Sequence, residues 1–289
     1  SNQAYAQMLV ITGGSDSWLA DKGWLFGMAL AAIVAAVIIG GIKAIARVAG
    51  VLVPFMAVLY ALSAAFVIVL SHEHIVPALH LVTASAFSTQ AALGGGLGAL
   101  IVGFQRALFS NEAGLGSASI AHAAVQSERP ASEGLVSLLE PFIDTVIVCS
   151  LSSLVILTTA LPNHLMIDGL AGIELTSAAF AHHFAWAPYV IAVAALLFAF
   201  STALAWSYYG LKAWTYLVGE GRKRALAFQL VFCGFIVIGA MLQLGAVLDF
   251  SDAMVFLISV PNLLALYLYA PEVRKELIAY IAELKAQDQ

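Results

Sequence analysis

The chain has 289 residues, 62% apolar and 10% charged, with a mean hydropathy of +0.97 and a formal net charge of −5. Soluble domains carry roughly 25% charged residues, so the composition excludes a water-soluble fold and points to an all-α polytopic protein embedded in a lipid bilayer. The charge is spread thinly and the only dense basic run is Arg222-Lys223-Arg224, which implies no nucleic-acid partner.

In chain order, residues 1–12 read as the last turns of a helix ended by Gly13-Gly14, and the start at Ser1-Asn2-Gln3 reads as the middle of something longer. Residues 15–22 form a short polar loop, and 24–41 are long and apolar enough to span. Lys43 and Arg47 mark the next loop. Residues 51–70 form the second span, with Pro54 near its start, closed by His72-Glu73-His74. Residues 75–87 are expected to lie at the interface.

Residues 91–125 are read as one crossing with a break. Left straight, they would be about 52 Å long, against a hydrocarbon core of about 30 Å. The break falls on Phe109-Ser110-Asn111-Glu112-Ala113-Gly114-Leu115-Gly116-Ser117, where polar side chains and glycines interrupt an apolar run. Lipid cannot solvate such groups, nor the backbone that a broken helix bares, so the segment belongs against protein or a water-lined cavity. A discontinuous helix whose free ends face a solute or ion fits best.

Residues 134–160 are the fourth span and carry Glu140, Pro141 and Asp144. Residues 161–186, with Pro162, Asp168, Glu174 and His182-His183, are too polar to span and read as a cap. Residues 188–218, 225–242 and 246–270 complete seven spans, and 271–289 form a charged helical tail. Beyond the first connection, which has one lysine, Lys22, basic residues fall on every second connection: Lys43 and Arg47, then Arg129, then Arg222, Lys223 and Arg224, then Arg274, Lys275 and Lys285. The positive-inside rule therefore predicts these connections and the C-terminus to be cytoplasmic, in a multi-pass protein of the cell membrane.

Several residues are candidates for chemistry. Glu112 is either a ligand-facing carboxylate or, with Ser110 and Asn111, a cap for backbone groups at the break. Glu140 and Asp144 share a helix face one turn apart, and Asp144 is deep enough to count as an intramembrane acid. Arg106, Ser150 and Thr202 are its expected partners, so Glu112, Glu140, Asp144 and Arg106 form a candidate charge network. Ser201 and Thr202 offer hydroxyl oxygens of the type that binds a hard cation, although such residues in a span commonly bond to their own backbone. Gly94, Gly95, Gly96 and Gly98 permit close helix approach. The seven histidines show no metal-binding spacing, and Cys149 and Cys233 stand alone in apolar runs. Ser119 and His122 are three apart, but no orienting acid is evident for an intramembrane hydrolase.

The run Phe109–Ser117, followed by Ile120-Ala121-His122-Ala123-Ala124, resembles the signature of the alanine/glycine:cation symporter family. Supporting pieces follow in the same order along nearly the whole chain: Gly40-Gly41-Ile42-Lys43, Val53-Pro54-Phe55-Met56-Ala57, Leu139-Glu140-Pro141-Phe142-Ile143-Asp144-Thr145, and Phe200-Ser201-Thr202 with Trp206-Ser207-Tyr208-Tyr209-Gly210.

The resemblance implies a secondary transporter, not an enzyme, that takes up small neutral amino acids such as alanine and glycine together with sodium or, in some members, protons. It implies a LeuT-like inverted-repeat fold working by alternating access, with no cofactor beyond the coupling ion. The implied substrate contacts are Ser110, Asn111, Gly114, Gly116, Phe104, Trp206 and Gln3, and the implied sodium ligands are Ser201 and Thr202. Members are longer at the N-terminus, so the first broken helix is expected to be missing here, and with it the N-terminal half of the transporter as a partner. A seven-span receptor fits poorly, since 246–270 hold no lysine for a retinal-type linkage. A non-transporting membrane scaffold is the remaining alternative.

Overall fold

The computed structural model describes residues 1–86, 96–112, 114–165 and 170–287. Asp168, Gly94, Gly95 and the first residues of the 91–125 segment lie outside these. Every regular element among the described residues is a helix, and five helices are long and apolar enough to cross a membrane: Gly41–Leu70, Pro130–Ala160, Ala187–Val218, Arg222–Met241 and Leu244–Ala286. The protein is an all-α, multi-pass membrane protein.

The chain divides into two compact units, residues 1–87 with 150–247, and residues 88–149 with 248–289. The first contains α1 (Asn2–Thr12), α2 (Gly23–Ile38), α3 (Gly41–Leu70) and α4 (Ile75–Ala86). It continues with α9 (Ser150–Val155), a π-helical turn (Ile156–Ala160), α10 (Ile173–His183), α11 (Ala187–Val218) and α12 (Arg222–Met241). The second contains α5 (Gly96–Asn111), α6 (Ser117–His122), α7 (Pro130–Ser137), α8 (Leu139–Pro141), a π-helical stretch (Phe142–Cys149) and most of α13 (Leu244–Gln287).

Two apolar clusters hold the first unit. Leu30, Ala31, Val34 and Ile38 of α2 pack with Ile45 of α3, Leu204 of α11 and Ile236 of α12. Gly23 and Gly27, four apart on α2, let α12 approach closely. A Cβ built on Gly27 would lie 2.7 Å from the Val237 Cα, and one on Gly23 would lie 2.8 Å from the Ala240 carbonyl oxygen. Lipid supplies no hydrophobic drive between helices, so this close backbone packing is what joins them. The other cluster joins Ala64, Val67 and Ile68 of α3 to Val155, Ala160, Phe180 and Ile191.

Several buried polar groups in this unit are cross-bonded. Gln7 Nε2 donates to Ser177 Oγ and to the Pro188 carbonyl, each at 2.9 Å. Ser71 Oγ lies 2.8 Å from His183 Nε2 and 3.1 Å from Thr159 Oγ1, pinning the end of α3 to the π-helical turn and to α10.

Helix limits differ from the sequence expectation where charge or proline suggests a boundary. Lys43 and Arg47 lie inside α3, which begins at Gly41 rather than near 51, and Pro54 is well inside it. Lysine and arginine are good helix formers, and their long stems let the charge reach water. Likewise α13 runs through Pro261 and Pro271 to Gln287, so the tail continues the last apolar helix. The opposite holds for α2, whose 16 residues make about 24 Å, short of a full core. The expected span 134–160 is not uniformly α-helical. Pro141 has no N–H to give, and Phe142–Cys149 follows it as a π-helical stretch. In the second π-helical turn Leu161 N–H donates to the Ile156 carbonyl, five residues back, at 3.1 Å.

Candidate functional site

The break expected from sequence is present in the second unit. Helix α5 ends at Asn111 and α6 starts at Ser117. Between them Glu112, Gly114 and Gly116 have φ of 55°, 88° and 87°, backbone that cannot continue a right-handed helix. At the bend Glu112 N–H donates to the Leu108 carbonyl at 3.2 Å, and Leu115 N–H donates to the Glu112 carbonyl at 3.1 Å. Glutamate in the left-handed region is uncommon for a non-glycine residue, and such strain gathers at ligand clamps and switch regions.

Polar side chains collect around the bend. Ser110 Oγ donates to Asp144 Oδ2 at 2.7 Å and lies 3.3 Å from Cys149 Sγ. Asn111 Nδ2 donates to Thr145 Oγ1 at 2.7 Å. The last turn of α5 is thus bonded to the π-helical stretch, whose extra residue per turn aims Asp144 and Thr145 towards it. Ser117 is 6% exposed, and its hydroxyl has no hydrogen-bond partner among the described residues. A buried orphan hydroxyl at a helix break calls for an explanation, and a ligand is one. Asn262 on α13 closes the other side, donating from Nδ2 to the Gly114 carbonyl at 2.7 Å.

The charge network takes a different form from the one expected. Arg106 pairs with Asp252, not Asp144, and its guanidinium sits 5.8 Å from the Phe109 ring centroid. Asp144 takes its hydrogen bond from Ser110 instead of from Arg106, Ser150 or Thr202. Glu140 faces His122, with Nε2 3.6 Å away, while His122 Nδ1 lies 2.6 Å from Glu133. His122 therefore has the orienting acid that the sequence does not reveal, eleven residues on. Ser119, however, donates to the Gly116 carbonyl at 2.8 Å and not to His122.

The remaining site residues are placed individually. Phe104 is exposed on α5. In the first unit, Trp206 packs edge-on to Tyr209 with centroids 5.9 Å apart. Ser201 is buried, and its hydroxyl donates to the Phe198 carbonyl at 3.0 Å, the local bonding that competes with a ligand role, while Thr202 is exposed. Gln3 Oε1 accepts the Ile173 N–H at 2.9 Å and so caps α10.

Sequence reasoning finds the break from its composition but misses Asp252, Asn262 and Ser117. Asp252 and Asn262 lie about 150 residues from the groups they bond, which no local pattern encodes. The one available signal is an amide directly after Pro261 in an apolar run.

The model of the sodium:alanine symporter family matches residues 2–289. The chain is 37% identical over 255 residues to the sodium/alanine symporter AgcS of Methanococcus maripaludis, covering 88% of this chain and 56% of that protein. It is 33% identical to the probable sodium/glutamine symporter GlnT of Bacillus subtilis, covering 90% and 54%. It is 32% identical to the amino-acid carrier protein AlsT of the same organism, covering 91% and 56%. The chain spans about half the length of these curated relatives. Their family is one of transporters, not enzymes, and the match along almost every residue establishes that this chain belongs to the sodium:alanine symporter family.

Proposed function

We propose that the polypeptide carrying this chain is a secondary transporter that couples uptake of a small neutral amino acid, alanine or glycine, to an inward cation gradient, sodium in the first instance. The observation that carries this reading is the break between α5 and α6, where strained backbone, an orphan hydroxyl and an adjacent carboxylate meet in one place. An amino-acid zwitterion needs donors for its carboxylate and oxygens for its ammonium. A broken helix supplies both without bringing a full charge into the membrane.

Ser110, Asn111, Gly114, Gly116 and Ser117 are the proposed substrate contacts, with Phe104 bounding a small pocket. Ser201 and Thr202 remain the proposed cation ligands in the other unit. Sodium binding there would draw the Ser201 hydroxyl away from the Phe198 carbonyl and from Met56 Sδ, its two present partners. Gln3 is better read as the cap of α10 than as a substrate contact, because its carbonyl oxygen is already engaged. A LeuT-like fold, alternating access and a cytoplasmic C-terminus complete the proposal. They draw on the family membership and on the alternation of basic connections.

The test is labelled-alanine uptake into proteoliposomes, with and without an inward sodium gradient, for the wild type and Thr202→Ala. Uptake that rises with the gradient and weakens in Thr202→Ala supports the reading. A folded, reconstituted protein that takes up no small amino acid under sodium or proton gradients would sink it.

A further inference from the structure

From the geometry around the break we infer that Asn262 is a positioning residue: its carboxamide holds the bend between α5 and α6 in the shape that binds substrate. The inference rests on the transport reading above and extends it to a helix that carries none of the proposed substrate contacts.

Three observations converge on this side chain. Its Nδ2 donates to the Gly114 carbonyl at 2.7 Å, satisfying a backbone acceptor in the middle of the break. Its Oδ1 stands 3.0 Å from where a Cβ on Gly116 would lie, so the amide and the second glycine fit against each other. It also follows Pro261, which has no N–H for the Leu257 carbonyl, so α13 is locally loosened where its side chain must reach across.

A carbonyl freed from helical bonding carries the full cost of desolvation unless something donates to it. Asn262 is the donor that the described residues supply to Gly114. One hydrogen bond from a neighbouring helix then orients the Gly114–Leu115 peptide plane, on the approach to Ser117. Removing the donor leaves the bend free to rotate and the substrate groups misaligned, while the amount of folded protein depends mainly on apolar packing elsewhere.

Asn262→Asp removes the N–H and keeps the shape, Asn262→Leu removes both polar atoms at similar volume, and Asn262→Gln retains the carboxamide. Two readouts are taken on each reconstituted variant: the KM and maximal rate of alanine uptake, and backbone hydrogen exchange of peptides covering residues 114–122. We expect Asp and Leu to raise KM about ten-fold, with maximal rate within two-fold of wild type. Exchange in 114–122 should rise several-fold, and Gln should restore much of both. Unchanged exchange in Asp and Leu overturns the clamp. Faster exchange with unchanged KM overturns the positioning role, as does a KM defect in Asp that Leu does not share, since that would trace to charge. If wild type takes up no amino acid, the transport reading and the positioning role fall together, and exchange still decides whether Asn262 holds the bend.

Discussion

Ser110 Oγ donates to Asp144 Oδ2 at 2.7 Å, tying the last turn of α5 to the first turn of a π-helical stretch. The carboxylate is thereby held beside the break, with no cationic partner among the described residues. Asp144→Ala removes both charge and acceptor and should lower the initial rate of uptake at least ten-fold, while Asp144→Asn keeps an acceptor and should lose less. Ser110→Ala should lose less than either. Equal activity in Asp144→Ala and wild type at equal protein amounts would remove Asp144 from the site.

Gly116→Ala should be harmful twice over. Its φ of 87° costs a side chain about 1–2 kcal/mol, and the new Cβ would stand 3.0 Å from Asn262 Oδ1. Gly98 on α5 is helical with open space around it, so Gly98→Ala should leave the thermal midpoint equal or slightly higher. Melting curves in detergent check the pair. Equal effects at both positions would contradict the described bend.

Ser117→Ala separates a ligand contact from a structural one. An orphan buried hydroxyl contributes nothing to folding, so its removal should leave the thermal midpoint unchanged or higher. If the hydroxyl meets substrate, KM for alanine should rise several-fold in the same variant. A lower midpoint with an unaltered KM would assign Ser117 to the scaffold.

Arg106 and Asp252 should behave as a coupled pair. Asp252 is the less exposed member, and its Oδ1 lacks a partner among the described residues. Arg106→Leu leaves that carboxylate unpaired and should cost about 1–3 kcal/mol. The double substitution Arg106→Leu with Asp252→Leu should recover part of the loss. A loss in the double variant equal to the sum of the two single losses would show that the ion pair contributes no coupling.

How much was legible before the structure depends on the distance over which each feature acts. The break was visible because Ser110, Asn111, Glu112 and two glycines interrupt an apolar run within a few positions, and lipid forbids that without a reason. The α1 terminus at Gly13 and the helical nature of the tail were likewise local facts. Arg106 is the expected basic partner of the intramembrane acid Asp144, yet it bonds Asp252, 146 residues away. The π-helical stretch was invisible for another reason. Period-3.6 patterning cannot register one extra residue per turn, and Pro141 was the only hint. The start of α3 is not legible because lysine and arginine mark a loop and a helix end alike, and here a helix end carries Lys43 and Arg47 into water.

His183 gives a pH prediction outside the spans. Burial lowers its pKa, with the nearby His182 adding a smaller push in the same direction. The folded state therefore favours the neutral ring beside Ser71 and Thr159. The unfolded chain takes up a proton at this site near the ordinary value of about 6.5, before the folded chain does. Stability should fall as pH drops through about 6.5 and level off once the depressed folded value is passed. His183→Gln should flatten that part of the curve of thermal midpoint against pH. An unchanged slope in the variant would assign the dependence to the other histidines.

Helix α13 has 44 residues, so its path is about 66 Å, roughly twice the thickness of a hydrocarbon core. A helix of that length carries a tilt of its apolar half far along the chain, out to Glu283, which pairs with Arg129. A tilt of only about 5° would sweep its far tip through about 6 Å. A fluorescent or spin label near Leu284 would therefore magnify rocking too small to see within the bilayer, and would do so without touching the residues around the break.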